Sequence, residues 1–303
     1  MNAGKVEISA IIVSYNGRRF LPNCLSTLED NLHLLSHEIL LVDNGSTDDS
    51  VSFVQSSFPD VIVVENDSNL GFARAVNIGI KKASGEYLYI LNQDLRFHAG
   101  ATERLLARLK SDPQIGMIGP KYVGFDGKLQ WSARAFPTYR HIIYEALLLS
   151  RLFPRHREFS SWRMGWFDHE HEMEVDQPMG SAMLIPRDVV DKVGSFDEKF
   201  PIFFNDVDYC RRMRDAGYVL LYFPDAVVEH FRGASTGRRP IGMKIESLFS
   251  MYRYIRKYAR PREWPLLWLC GLLLLIGLGP LLLLTWADSH RANVAGRAPS
   301  GRG

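Results

Sequence analysis

Apolar runs and helical periods alternate through the first part of this 303-residue chain, and that alternation limits the fold more than any other feature. "VEISAIIVSYN" is a continuous apolar run that turns polar at its end, the pattern of a buried strand. "RRFLPNCLSTLEDNLHLL" has helical spacing at Leu21, Leu25, Leu28 and Leu32. "EILLVDNGSTDDS" reads as a second strand, with Ser46, Thr47 and Asp48 offering N-caps for the helix that follows. "DVIVVEN" reads as a third strand, "GFARAVNIGIKKASG" as a helix closed by Gly85, and "EYLYILNQD" as a fourth strand. Buried strands joined by helices predict an α/β protein with a mostly parallel, doubly wound sheet covered on both faces. Ligands of such sheets bind beyond the carboxyl ends of the strands. Polar side chains gather there in this sequence: Ser14 and Asn16, Asp43 and Asn44, Asn66 and Asp67, Asn92 and Asp94. Each alone is an ordinary turn former. Their repetition at strand after strand predicts one shared pocket.

Composition and missing signatures exclude several classes. A formal net charge of +2 gives no argument for nucleic acid. Cys24, Cys210 and Cys270 are odd in number and far apart, so neither a disulfide framework nor a structural zinc site is expected, and a reducing compartment fits. No G-x-G-x-x-G follows the first strand, and no G-x-x-x-x-G-K-[ST] occurs, which argues against a dinucleotide site and a P-loop. The N-terminal apolar run is too short for a signal peptide, so the chain is expected to begin in the cytosol.

Residues 131–175 interleave Arg, His and Trp with "IIYEALLL". Two readings stand: a basic, aromatic surface for lipid head groups or a phosphate-bearing acceptor, or an ordinary solvated excursion. "HEHE", starting at His169, lacks the i, i+4 spacing of a helical zinc pair. Further on, "SAMLIP" and "YVLLYFP" read as strands. "RDVVDKVG" reads as a helix with Gly194 past its end, and "DVDYCRRMRDAG" as one with Asn205 or Asp206 as N-cap and Gly217 as C′. Asp208 falls in the first turn, where the helix dipole accounts for it. From Trp264 to Trp286 there is no charged residue, and as a helix that run reaches roughly 34 Å, enough for a bilayer core. Arginines and Lys257 precede it in excess, which predicts an N-terminal domain on the cytoplasmic side of a membrane. A core helix or a re-entrant hairpin bent at Pro280 is the alternative. The expected organisation is a domain over 1–240, then a basic helix, the hydrophobic segment 264–286 and a tail over 241–303.

Six blocks now stand in order across roughly residues 6–237: "IIVSYNG", "LLVDNGSTDDS", "NLGFARAVNIGIKKASGEYLYILNQD", "GSAMLIPRDVVDKVGSFDEKF", "FFNDVDYCRRMRDAGY" and "HFRGAST". In these the chain resembles the inverting glycosyltransferases of family 2, of the GT-A fold, and within them the bacterial rhamnosyltransferase-like members. The resemblance implies transfer of a sugar, dTDP-rhamnose being the favoured donor, from a nucleotide-diphosphate donor to a hydroxyl of a polyprenyl-linked or cell-surface glycan, at the cytoplasmic face of the bacterial inner membrane.

It also implies roles. Asp43 matches the aspartate that accepts a hydrogen bond from the nucleobase; Ser14, Asn16, Asn69, Arg74 and Asn92 fall on the nucleotide-sugar side. Asp94, in "LNQD", stands in the family's D-x-D metal position, with Asn92 where the more familiar pattern has an aspartate. His230 matches a second ligand for a divalent cation, Mg2+ or Mn2+, that would offset the charge of the leaving diphosphate. Its bland alternative is a hydrogen-bonded histidine after a strand. Asp206 matches the catalytic base that takes the acceptor hydroxyl's proton. Asn205 replaces a frequent acidic residue, which would lower the pKa of Asp206, while Phe203 and Phe204 would desolvate the carboxylate and raise it. A catalytically silent nucleotide-sugar-binding subunit is the alternative, motivated by "LNQD" and "FND". A sugar nucleotidyltransferase is weaker still, for want of its glycine-rich signature.

Overall fold

The computed structural model describes residues 5–231, 240–274 and 276. Three strand–helix units and a fourth strand open the chain. They run β1 (Ile8–Ser14), α1 (Leu21–Leu32), β2 (His37–Asp43), α2 (Ser50–Ser57), β3 (Ile62–Glu65), α3 (Phe72–Lys82) and β4 (Tyr87–Asn92). Then come β5 (Leu95–Phe97), α4 (Ala101–Lys110), β6 (Ile115–Val123), β7 (Leu129–Gln130) and β8 (Ala133–Arg134). The excursion carries α5 (Tyr139–Ala146), α6 (Leu149–Leu152), β9 (Met173–Glu174) and β10 (Gln177–Pro178). The chain returns through β11 (Ala182–Pro186), α7 (Arg187–Val193), α8 (Asn205–Asp215), β12 (Val219–His230) and α9 (Pro240–Tyr258).

The main sheet has the order β3-β2-β1-β4-β11-β6-β12-β5. Its first four strands are parallel, as expected. The sheet as a whole is mixed, because β11 lies antiparallel to β4, with Ala182 opposite Leu91 and Pro186 opposite Tyr87. That reversal starts β11 where β4 ends, so the residues just before it, Gln177 to Ser181, arrive at the carboxyl edge of the parallel strands. β12 continues past Pro224 to His230 through an irregularity between Phe223 and Val227. A proline cannot donate to the ladder, so the break falls beside it.

Both faces of the sheet are covered, and the strand period of two accounts for it. Ile8, Ala10 and Ile12 of β1, Ile39 and Leu41 of β2, and Tyr89 and Leu91 of β4 pack with α1 and α4. Ile11, Leu40, Val42, Leu88 and Ile90 turn to the other side, against α3, α7 and α8. Each buried aliphatic side chain contributes about 1.5–3 kcal/mol relative to exposure, so the pattern fixes the register firmly.

Helix ends depart from the sequence expectation in three places. The cap position of α2 is Asp49, and none of Ser46, Thr47 and Asp48 occupies it, although Asp48 Oδ1 accepts from the Ser50 amide at 3.1 Å. α3 ends before Gly85, which instead packs against Ser9: a Cβ there would lie 2.5 Å from the Ser9 nitrogen. The cap of α8 is Phe204, in the left-handed region at φ 67°, with Asn205 and Asp206 already inside the helix. Gly194 and Gly217, at φ 86° and 92°, follow their helices as expected.

No helix among the described residues is long and apolar enough to cross a membrane. Residues 264–274 are helical; 275 and 277–286, the rest of the apolar segment, lie outside the described residues.

Candidate active site

Because β1, β2 and β4 run parallel in register, Ser14 lies opposite Asp43, and Val13 opposite Asn92. Their polar ends are tied to one another. Asp43 is buried, and its carboxylate accepts from the Ser46 hydroxyl (2.5 Å) and amide (2.8 Å). The same hydroxyl accepts from the Asn16 amide at 2.7 Å, while Asn16 Oδ1 accepts from the Thr47 amide at 2.7 Å. Asn16 sits at φ 50°, a left-handed turn that asparagine tolerates. Asn44 donates to Asn69 Oδ1 (3.1 Å) and accepts from the Leu70 amide (3.1 Å), which fixes the loop into α3. Gln93 Oε1 accepts from the Ser14 hydroxyl (2.8 Å) and the Tyr15 amide (2.9 Å). Hydrogen bonds thus link the strand ends, Asp43 to Asn16 through Ser46 and β1 to Gln93.

Asp94 follows β4 and is almost fully buried. His230, the last residue of β12, brings Nε2 to 3.5 Å from Asp94 Oδ1 and 3.5 Å from the Ser181 hydroxyl. Gln130 decides which histidine nitrogen carries the proton. Its Nε2 donates to the His230 carbonyl (2.7 Å), which leaves Oε1 to accept from Nδ1–H (3.2 Å). The lone pair of Nε2 then faces a carboxylate. Two electron-rich atoms so placed fit a shared cation, and the Nδ1 hydrogen bond is the kind of outer support that orients a metal-binding histidine. No group of three or more His, Cys, Asp or Glu that could hold a metal occurs among the described residues. Asn92 does not point to this pair alone; its side-chain amide donates to Ser181 Oγ at 3.2 Å. A cavity of about 230 Å³ opens beside Asp94, lined among others by Arg19, Phe20, Arg96, Phe125 and Phe231.

Asp206 joins the same edge through the segment before β11. Gln177 Nε2 donates to its Oδ2 at 2.6 Å and the Val207 amide to its Oδ1 at 2.9 Å. Gly180 lies against it, so closely that a Cβ at 180 would be 2.7 Å from Asp206 Cβ and Oδ2. Ser181, the next residue, touches His230. Asp94 and Asp206 are thus separated by His230 and the Gly180–Ser181 step. Burial pushes the Asp206 carboxyl above the ordinary aspartate value, against hydrogen bonds from Val207, Gln177 and Gly180 that pull it down. Asp206 nevertheless keeps part of its surface open to solvent. Burial, in which Gly180 takes part, therefore outweighs the loss of a neighbouring acid at Asn205. The Asn205 amide has its own task, donating to the Ile202 carbonyl at 2.8 Å, and holds the strained turn at Phe204.

The model of the family described as "Glycosyl transferase family 2" matches residues 9–172. The chain belongs to glycosyl transferase family 2. An N-acetylglucosaminyl-diphospho-decaprenol L-rhamnosyltransferase of Mycobacterium tuberculosis is 30% identical over 244 residues, 75% of this chain and 79% of the relative. The fold is similar to that of a mannosyltransferase from Pyrobaculum calidifontis in complex with GDP-Man and Mn2+, with a TM-score of 0.58 and 17% identity, covering 94% of this chain and 80% of that one. GalNAc-T7 with UDP, GalNAc and Mn2+ gives a TM-score of 0.57 at 18% identity, over 84% of this chain and 48% of that one. The protein is a glycosyltransferase.

The helix dipole, expected to account for Asp208 from its place in the first turn of α8, does not do so alone. Its carboxylate is fully buried and receives Lys257 Nζ at 2.6 Å, the Tyr258 hydroxyl at 2.9 Å and Arg212 Nε at 3.0 Å. Lys257 also reaches Asp197 at 2.7 Å. Asp208 is an anchor by which α9 docks on the helix that carries Asp206, two residues earlier. Arg74 stands apart from the strand-end network. It is more than half exposed and makes a 3.9 Å contact with Glu198. In "HEHE", His169 is buried as a neutral ring: its Nε2 accepts from the Ser132 and Ala133 amides, and Nδ1 faces the Phe167 carbonyl. Both ring nitrogens are thus engaged within the protein.

Four site residues escaped the sequence reading. Gly180 and Ser181 open a block that was recognised, yet nothing local tells that they separate the two carboxylates. Gln93 lies inside "LNQD" and reads as a spacer. Gln177 carries no signal at all, since only the reversal of β11 brings it to Asp206.

Proposed function

We propose that this glycosyltransferase transfers L-rhamnose from dTDP-rhamnose to a hydroxyl of a polyprenyl-diphosphate-linked glycan, with inversion, at the cytoplasmic face of a bacterial inner membrane. The observation that carries the reaction type is the placement of Asp206: a half-buried carboxylate of raised basicity, oriented by Gln177 and Val207, one step along the edge from Asp94. Ionised, it accepts the proton of the acceptor hydroxyl as that oxygen attacks the anomeric carbon from the face opposite the diphosphate. One displacement inverts the centre, and no covalent sugar–enzyme intermediate is needed. Asp94 and His230 would hold a divalent cation, which when bound offsets the negative charge that develops on the leaving diphosphate. Arg19 and Arg96 add positive charge to the recess beside Asp94. Asp43, Ser14 and Asn16 line the nucleoside end of the same edge.

The donor and acceptor are inferred from likeness to the mycobacterial rhamnosyltransferase, whose name states both a rhamnosyl group and a diphospho-decaprenol acceptor. Membrane attachment is supported by the apolar helix 264–274, whose Trp268 is 73% exposed. The test is direct. The purified full chain is supplied with Mn2+ or Mg2+, a short-chain N-acetylglucosaminyl-diphospho-polyprenol, and in turn dTDP-rhamnose, UDP-GlcNAc and GDP-mannose. A product heavier by one deoxyhexose from dTDP-rhamnose alone is expected. Turnover of another donor replaces the assignment of the sugar; tight donor binding without turnover of any donor would make the protein a silent binding subunit.

A further inference from the structure

The helix 264–274 is not amphipathic. Leu267, Cys270 and Leu274 pack inward, on Tyr139 and Ile142 of α5 and on Met251, Tyr254 and Ile255 of α9. The Cys270 thiol lies 3.9 Å from the Tyr139 carbonyl. The outward face carries Trp264, Trp268 and Ile276, all more than half exposed. A surface helix of a soluble domain has charge on that face; a helix apolar all round is covered by something. The α5–α6 hairpin, packed beside it, ends in the same way. Leu147 and Leu152 are 61% and 68% exposed, and Phe153 is half exposed. Among the other described residues, exposed Phe125 and Phe231 meet at the cavity beside Asp94.

A basic rim surrounds the pair. Arg151, Arg155 and Arg157 are exposed on the hairpin, and Arg256 and Arg262 flank the start of the helix. Among the described residues none of these five has a carboxylate within ion-pair distance. The acids nearest the hairpin are engaged, Glu145 with Arg163 (2.6 Å) and Glu158 with Arg140 (3.1 Å), and Glu263 at the start of the helix accepts from the Arg260 amide at 2.8 Å. A two-fold pairing of this face with a second copy would set one basic rim against another. A bilayer carrying anionic head groups matches both the apolar centre and the basic edge.

We propose that the α5–α6 hairpin and the helix 264–274 form one surface that lies on an anionic membrane, the hairpin being a membrane contact in its own right. The inference rests on the membrane attachment proposed above and extends it to residues 147–157.

The experiment is co-sedimentation of the full-length protein with vesicles of phosphatidylcholine, with and without 30% phosphatidylglycerol. Wild type, L152S/F153S and R151E/R155E are compared, with thermal melts showing that these exposed positions leave the fold intact. The expected result is tighter binding of wild type to the anionic vesicles, at least tenfold weaker binding by L152S/F153S, and loss of the lipid-charge preference in R151E/R155E. Wild-type binding that neither variant alters would overturn the hairpin contact while leaving attachment through the C-terminal segment standing. Failure of wild type to bind any vesicle overturns both. A dimer that L152S/F153S dissolves, without vesicle binding, would assign the surface to a second copy.

Discussion

Gln177 Nε2 and Asp206 Oδ2 lie 2.6 Å apart, joining the segment before β11 to the first turn of α8. That contact orients the carboxylate proposed as catalytic base and opposes the burial that raises its pKa. Asp206→Asn is expected to lower turnover by about 10²–10⁴-fold while leaving donor affinity nearly unchanged, as measured by product formation and calorimetric titration of the nucleotide. Unaltered turnover would end the assignment.

The raised Asp206 pKa gives two pH effects of opposite sign. Activity requires the ionised form, so the acidic limb of kcat is expected above 3.8, the ordinary value. Gln177→Leu removes a hydrogen bond that favours the charge and moves that limb to higher pH. For folding, a carboxyl raised in the native state binds its proton more tightly there than in the unfolded chain. Asp206 therefore makes stability fall as pH rises from 3.8 to its native value, and the loss is constant above. The melting temperature of Asp206→Asn relative to wild type is expected to grow across that window.

Gly180 is needed for space, not for backbone freedom. A methyl group there would meet Asp206 Cβ and Oδ2 at 2.7 Å. Gly180→Ala is expected to displace the carboxylate and cut kcat by on the order of 10²-fold, with the donor KM little changed. A kinetic comparison with wild type at saturating acceptor measures this. A fall in donor affinity with kcat intact would contradict it.

Gln130 is expected to act on metal dependence without touching the ion. Its side chain fixes the His230 proton on Nδ1. Gln130→Leu should raise the Mn2+ concentration for half-maximal activity by roughly 10–100-fold. His230→Gln should raise it further, and activity titrations against Mn2+ rank the two.

Asp208 and Lys257 make a stability prediction. Removing Lys257 leaves a fully buried carboxylate with only Arg212 and Tyr258. Lys257→Met is expected to cost about 3 kcal/mol in denaturant unfolding, and Asp208→Asn in the same background to recover part of it, because the uncompensated charge is gone. Additive losses would show that the two groups do not interact.

By itself the sequence determined the parallel half of the sheet, its two covered faces and the gathering of polar residues at one edge. Those follow from local periodicity: Ile8, Ala10 and Ile12 alternate with Ile11 and Val13, and period-two burial leaves one solution. It also pointed to Asp94, His230 and Asp206, through blocks of contiguous residues. The tertiary structure alone decided what surrounds them. The antiparallel entry of β11 brought Gln177, Gly180 and Ser181 between the two carboxylates, and the docking of α9 gave Asp208 a lysine 49 residues away. Contacts across such separations depend on strand direction and helix packing, which no local pattern of residues encodes.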